Sequence, residues 1–313
     1  MRIKIYFSVL AFCLSLGITG FAQKPKNISS NQTRTITVVT EPNAIVWLDD
    51  IQRGRTDESG KLTVKSVTAG AHKLRVRADG FKAISQNLLA AQNGDVKIAL
   101  VKTEDVAELA FQEAERLSGR DREKAIAAYR RATSARPKYA EASLALARVL
   151  SAKGDYDAAL KAIAEARKAR LNYAEASAVE GRIYVLEGEE EKAIAAFKRA
   201  ITEGRGFQPE AHTGLGLLYK EKAEAAGSGS DYEAEADNYE LAIASFKKAV
   251  SQLSGAPDAI TVYQFIGLAY EKMKKYDDAI AVYEEFLRVF PDSSEASAVL
   301  SFIVQLKKQM SEQ

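Results

Sequence analysis

Few side chains in this sequence are of the types that carry out chemistry, and their spacing speaks against a reaction centre. There are two histidines, His72 and His212, and one cysteine, Cys13. A metal ion needs three or four ligands in reach, and an acid–base histidine needs a partner that orients it. His72 lies in a stretch of two-residue periodicity and His212 in a helical one, so each is expected to serve structure. Cys13 sits inside an apolar N-terminal run. If that run is removed, the mature chain has no thiolate nucleophile, metal thiolate or disulfide. The sequence has no phosphate loop, dinucleotide glycine fingerprint or nucleophile elbow. Gly214-Leu215-Gly216 supplies two glycines of such a pattern but falls within a helix, where close packing explains it. The acidic stretch Glu187–Glu191 opens a helix, where carboxylates complement the dipole. No catalytic, cofactor-binding or metal-ligating residue is assigned, and the chain is expected not to be an enzyme.

The elements that carry these residues fall into segments. Arg2 and Lys4, an apolar run from Ile5 to Ile18, and Gly20-Phe21-Ala22 read as a secretory signal cleaved after Ala22. The run is shorter than the ~20 residues of a membrane span. The expected localisation is therefore exported, periplasmic or cell-surface, with any membrane contact made through the signal or a partner. The chain has 44 Lys and Arg against 42 Asp and Glu. Loss of Arg2 and Lys4 makes the mature chain neutral, which argues against nucleic acid as a ligand. Residues 23–34 read as a flexible leader.

Residues 35–101 alternate with a period of two. Ile36 and Val38, Leu62 and Val64, His72, Leu74 and Val76, and Val96, Ile98 and Leu100 lie among polar neighbours, with turn residues at 41–43, 57–60, 69–70, 79–80 and 93–94. Six or seven strands in a small antiparallel sandwich are expected. Thr37-Val38, Glu41-Pro42-Asn43-Ala44, Ile45–Asp49, Ala69–Val76 and Asp79-Gly80-Phe81 resemble the PEGA-type β domain of bacterial surface proteins. Glu-Pro-Asn-Ala stands where that family carries Pro-Glu-Gly-Ala, and Thr56-Asp57 replaces a Thr-Pro pair. The resemblance implies an envelope location and a docking role without chemistry.

Residues 104–310 turn helical. Ala125, Ala159 and Ala193 are each 34 apart. Tyr129, Ile163 and Phe197 follow by four residues, and Ala132, Ala166 and Ala200 by three more. Ala242 and Ala279 open further copies. Gly181 and Tyr184 precede Ala193 as Gly267 and Tyr270 precede Ala279. Gly216 and Tyr219 precede Ala242 with 14 residues more, 26 against 12 from glycine to alanine. A fixed period of paired helices marks a solenoid. In the expected packing, glycine on the first helix meets alanine on the second and the aromatic rings fill the flanks. Gly154 and Gly188 fall in the turns, and Pro137 and Pro291 end helices. The pattern resembles the tetratricopeptide repeat: five units beginning near Val106, Ala140, Ala174, Pro209 and Ile260, then a capping helix. The 14 residues, inserted within Ala223–Tyr239, are expected to lengthen both helices of unit four by two turns.

The resemblance implies an inner groove lined by the first helix of each unit. Its second position is Glu141, Glu175 and Glu210, and its ninth is Arg148, Arg182, Leu217 and Leu268. Positions seven apart share a helix face, so the candidate groove combines carboxylates, two arginines and two leucines, suited to a peptide or partner helix. The Lys and Asn positions of the chaperone-type carboxylate clamp are not matched. The expected function is a non-enzymatic scaffold of the bacterial cell envelope binding a protein partner. Two rivals are an envelope polysaccharide or peptidoglycan binder, with Trp47 stacking on sugar, and a subunit of a secretion, pilus or outer-membrane assembly machine.

Overall fold

A computed structural model describes residues 33–312; the expected signal and most of the leader lie outside the described residues. Seven strands come first: β1 (Arg34–Val39), β2 (Ile45–Leu48), β3 (Ile51–Arg55), β4 (Lys61–Val67), β5 (His72–Arg77), β6 (Ile84–Leu88) and β7 (Gly94–Lys97). They form two sheets, ordered β4-β1-β7 and β3-β2-β5-β6. All pairs are antiparallel except β1–β7, which is parallel, because the last strand returns to lie beside the first on its way to the helices. The alternation read from the sequence becomes the sandwich core: Ile36, Val38, Val46, Leu48, Val64, Leu74, Val76 and Val96 interdigitate between the sheets. β2 departs from the one-sided rule, with all four residues buried. Its second face is covered by the helices.

Those helices are α1 (Val106–Leu117), α2 (Arg122–Ala135), α3 (Ala140–Lys153), α4 (Tyr156–Ala169), α5 (Ala174–Leu186), α6 (Glu190–Glu203), α7 (Pro209–Ser228), α8 (Tyr232–Leu253), α9 (Ala259–Lys272), α10 (Tyr276–Val289) and α11 (Ala296–Ser311). They make five antiparallel pairs and a closing helix. Asp105, Asp121, Asp155 and Asp231 cap helix N-termini by accepting from backbone N–H groups, which satisfies donors that a helix start leaves free. Gly154 and Gly188 take positive φ in the turns. α7 and α8 run 20 and 22 residues, against 13 and 14 in α5 and α6. The insertion therefore extends both arms as helix.

The repeat-packing residues lie in the interior of the array, but one detail of the expected packing is corrected. Ala125, Ala159, Ala193, Ala242 and Ala279 are fully buried. The glycines, however, face aromatic rings four residues beyond those alanines. A Cβ on Gly181 would lie 2.7 Å from the Phe197 ring, on Gly216 2.5 Å from Phe246, and on Gly267 2.3 Å from Tyr283. A flat ring laid on a helix needs the space of a missing side chain; two small residues face to face do not. Phe197 is clamped on both sides, since Gly214 of the following unit would collide with it too, at 2.3 Å. The tyrosines close the flanks: Tyr184 is half-buried beneath Lys192, Tyr219 packs where two core clusters meet, and the buried Tyr270 accepts a hydrogen bond from Lys247 at 2.7 Å.

Candidate partner-binding groove

Helix positions two, five and nine of successive units stack into one concave surface, because each unit repeats the same face. Unit two offers Glu141, Leu144 and Arg148, unit three Glu175 and Arg182, and unit four Glu210, Thr213 and Leu217. All eight line a single cavity of about 1010 Å³. Leu268 of unit five does not line it. It is 47 % exposed and lies about one turn beyond Phe265 and two beyond Thr261 along α9, both of which do.

The polar residues of this floor are wired to each other. Arg148 donates both Nη atoms to Glu210, at 2.9 and 2.6 Å, skipping the unit between them. Arg182 donates to the same carboxylate at 2.9 Å. Burial pushes the Glu210 carboxyl up, but the two guanidiniums outweigh it and hold it below the usual glutamate range. Glu141 is paired with Arg170, whose guanidinium lies 4.3 Å from the Tyr173 ring centre. Glu175 has the same repeat position but no such partner among the described residues: burial first, and then Asp50 across the cavity, push it up. Pairing within the array and lining of the groove therefore coexist in the same side chains.

The roof of the cavity is the β unit. The outer face of the β3-β2-β5-β6 sheet carries Trp47, Arg75 and Arg77, which share the cavity lining with the helical floor. Arg75 and Arg77 lie 4.5 and 5.1 Å over the Trp47 ring, a cation–π arrangement, and Trp47 is only 9 % exposed. That leaves no open ring face on which a sugar could stack. Near α1, Arg77 donates to Glu115 at 2.6 Å, while the Gly80 N–H donates to Gln112 and Gln112 donates to the Phe81 carbonyl. Sequence patterning did not single out Gln112. Its burial, 2 % exposed, comes from the β unit packed on α1, a contact that no spacing along the chain announces.

The β2–β3 turn reaches into the cavity. Asp49 and Asp50 both adopt positive φ, the two-residue hairpin geometry that asparagine and aspartate tolerate best among non-glycine residues. Asp49 accepts from the Lys73 N–H at 2.8 Å and faces His72 Nδ1 at 2.6 Å. The other ring nitrogen of His72 faces the Thr68 carbonyl at 2.9 Å. His72 thus fixes the turn, and His212, with the Gly206 carbonyl 3.5 Å from its Nε2, is in the other unit. No cluster of three metal-ligating side chains occurs among the described residues, and no described helix is long and apolar enough to cross a membrane.

With this geometry established, comparison defines the class. Residues 117–183, 174–203 and 266–293 match tetratricopeptide-repeat family models, and the helical portion of the chain is a tetratricopeptide-repeat solenoid. No curated protein matches the chain. Among solved structures, yeast Tom70 is similar at 14 % identity and a TM-score of 0.52, over 66 % of this chain and 41 % of that one. A MamA protein is similar at 23 % identity and a TM-score of 0.43, covering 62 % of this chain and 96 % of that one. A thermophilic repeat protein of Thermus thermophilus shares 22 % identity at a TM-score of 0.47, over 63 % of this chain and 99 % of that one. These likenesses concern the fold.

Proposed function

We propose that this protein is a non-enzymatic interaction scaffold of the bacterial cell envelope, holding a peptide or partner helix in its repeat groove. Tetratricopeptide repeats are in general protein-interaction scaffolds. The observation that carries the reading is the concave row of Arg148, Glu210 and Arg182, a charged, half-exposed strip beside apolar Leu144 and Leu217 on a rigid helical support. Such a mixture suits an extended or helical segment whose own charges replace part of the internal pairing.

The envelope assignment rests on the N-terminal sequence and on the PEGA-like character of the β unit. Protein extracted from an envelope fraction should begin at Gln23; an N-terminus at Met1 would remove this part of the reading. Site-specific cross-linking from the groove, with and without Arg148→Ala plus Arg182→Ala, tests the scaffold itself. A partner whose capture falls about tenfold in the double variant supports it; capture indifferent to both arginines refutes it. The same fractions decide whether that partner is a component of a secretion, pilus or assembly machine. Burial of Trp47 counts against the sugar-binding alternative.

A further inference from the structure

We propose that the β unit is a hinged lid over the repeat groove, latched at its far edge by Ile51 and Arg53, and that an occupant reaches the groove by displacing this latch. The partner aspect rests on the scaffold reading above; the lid itself is testable without any partner.

The β unit touches the array at two seams, and these differ in kind. The near seam adjoins the covalent connection at residues 98–105. It contains the Arg77–Glu115 ion pair at 2.6 Å, the Gln112 bonds to Gly80 and Phe81 at 2.7 and 2.8 Å, and Arg77 stacked 4.5 Å over Phe111. The far seam joins residues some 200 positions apart in sequence. There Arg53 donates one Nη to the Leu253 and Ser254 carbonyls at 3.0 and 2.8 Å. Ile51 is buried in the apolar cluster of Leu253, Ala256 and Val262. Gly255 admits the edge of β4, since a Cβ there would stand 3.2 Å from that of Ser66. The ion pair at this seam, Lys65–Asp292 at 3.3 Å, is exposed on both sides.

The physical asymmetry follows. A guanidinium held by helix-end carbonyls is favoured by the α8 dipole, but among the described residues no carboxylate pairs with it and its Nε has no hydrogen-bond partner. Burial accordingly lowers its pKa, which the charge of Asp49 offsets only in part. When the seam opens, the charge regains water, so the bonds lost are largely replaced. Opening the near seam would instead break the charge-assisted Arg77–Glu115 pair and the two Gln112 bonds together, beside the covalent connection that keeps these groups close. Between the seams lies the cavity, bounded above by Trp47 and Arg75 and below by Arg148 and Glu210. A partner running along the floor beyond the cavity must raise the roof, and the far seam is the weaker edge.

The test uses the full chain. Trp47 is the sole tryptophan and reports from the roof. Arg53→Ala and, separately, Ile51→Asp should raise acrylamide quenching of its emission about twofold or more and shift the emission to longer wavelength, as expected of a locally opened surface. Thr213→Cys in a Cys13→Ser background reports from the floor. A bulky polymer-linked maleimide should label it about tenfold faster once the latch is removed, while Lys161→Cys on exposed α4 labels at one rate throughout. Unchanged quenching and labelling in both latch variants would mean a fixed roof and overturn the proposal. If Ile51→Asp loses far-UV helical signal, Arg53→Ala, which removes only bonds to carbonyls, decides alone. Opening of the lid without any partner dependent on Arg148 and Arg182 would leave the lid standing and the scaffold reading refuted.

Discussion

Glu175 and Glu210 hold the same repeat position on neighbouring units, yet their surroundings drive them in opposite directions. Glu210, with its pKa lowered by two arginines, contributes stability that is present above the ordinary glutamate range and is lost as pH falls through its depressed value. Glu175, with its pKa raised by burial and Asp50, disfavours the folded state while ionised and is relieved as it protonates. Glu210→Gln should therefore lower stability at neutral pH by about 1–2 kcal/mol, the range for charge-assisted bonds at a site about a quarter exposed, with the deficit closing below about pH 4. Glu175→Gln should be neutral or stabilising at neutral pH and lose any benefit at that acid pH. Urea titrations at the two pH values check both. Equal responses of the two variants would refute the wiring of the floor. The sequence places both carboxylates on one helix face, but nothing in it distinguishes them. The arginines that pair with Glu210 are 62 and 28 residues away, and Asp50 lies in another fold unit.

At the scale of the helix pair, the glycines decide how closely two helices approach. Gly181→Ala, Gly216→Ala and Gly267→Ala each place a Cβ 2.3–2.7 Å from a ring carbon, so each should cost about 1–3 kcal/mol as overpacking, measured by chemical denaturation. Gly214→Ala should behave alike, because Phe197 is pressed from that side as well. Gly119, with open space around its position, should tolerate alanine. The long hairpin makes a second prediction. Excising residues 222–235 leaves Ala236-Asp237-Asn238 as the turn and restores the length of a standard unit. Helical signal per residue should be preserved and the melting point should move by only a few degrees, about 4 °C or less per kcal/mol for a chain of this size. Cooperative unfolding lost on excision would show that the projection carries the packing of unit four. The repeat period, the helix starts and the in-register insertion were all legible in the sequence, because spacing and caps are local. The opposition of glycine to ring was not, because it depends on how far one helix slides past another.

Across the whole molecule, the β unit turns an open solenoid into a ring. Two seams that close one ring are expected to be coupled, since each holds the other's partners at high effective concentration. Arg53→Ala and Arg77→Ala together should destabilise by less than the sum of the single changes in a double-mutant cycle, because either change alone already loses the support that one seam gives the other. Strict additivity would mean that the two edges act independently. The ring also explains an element that patterning read one-sidedly: β2 is buried on both faces, the inner against Val38 and Val64, the outer over the groove.

What the sequence alone determined was whatever is written in short-range periodicity: strands from alternation, helices and their repeat from the 34-residue spacing, and turns from glycine and aspartate. Those features depend on residues a few positions apart. Tertiary structure decided what covers the groove. Ile51 and Arg53 look in sequence like ordinary strand residues, and only the curvature of the first four stacked units brings the end of α8 around to meet them. Docking of one unit on another depends on the summed rotation of all the repeats, a quantity no single spacing contains.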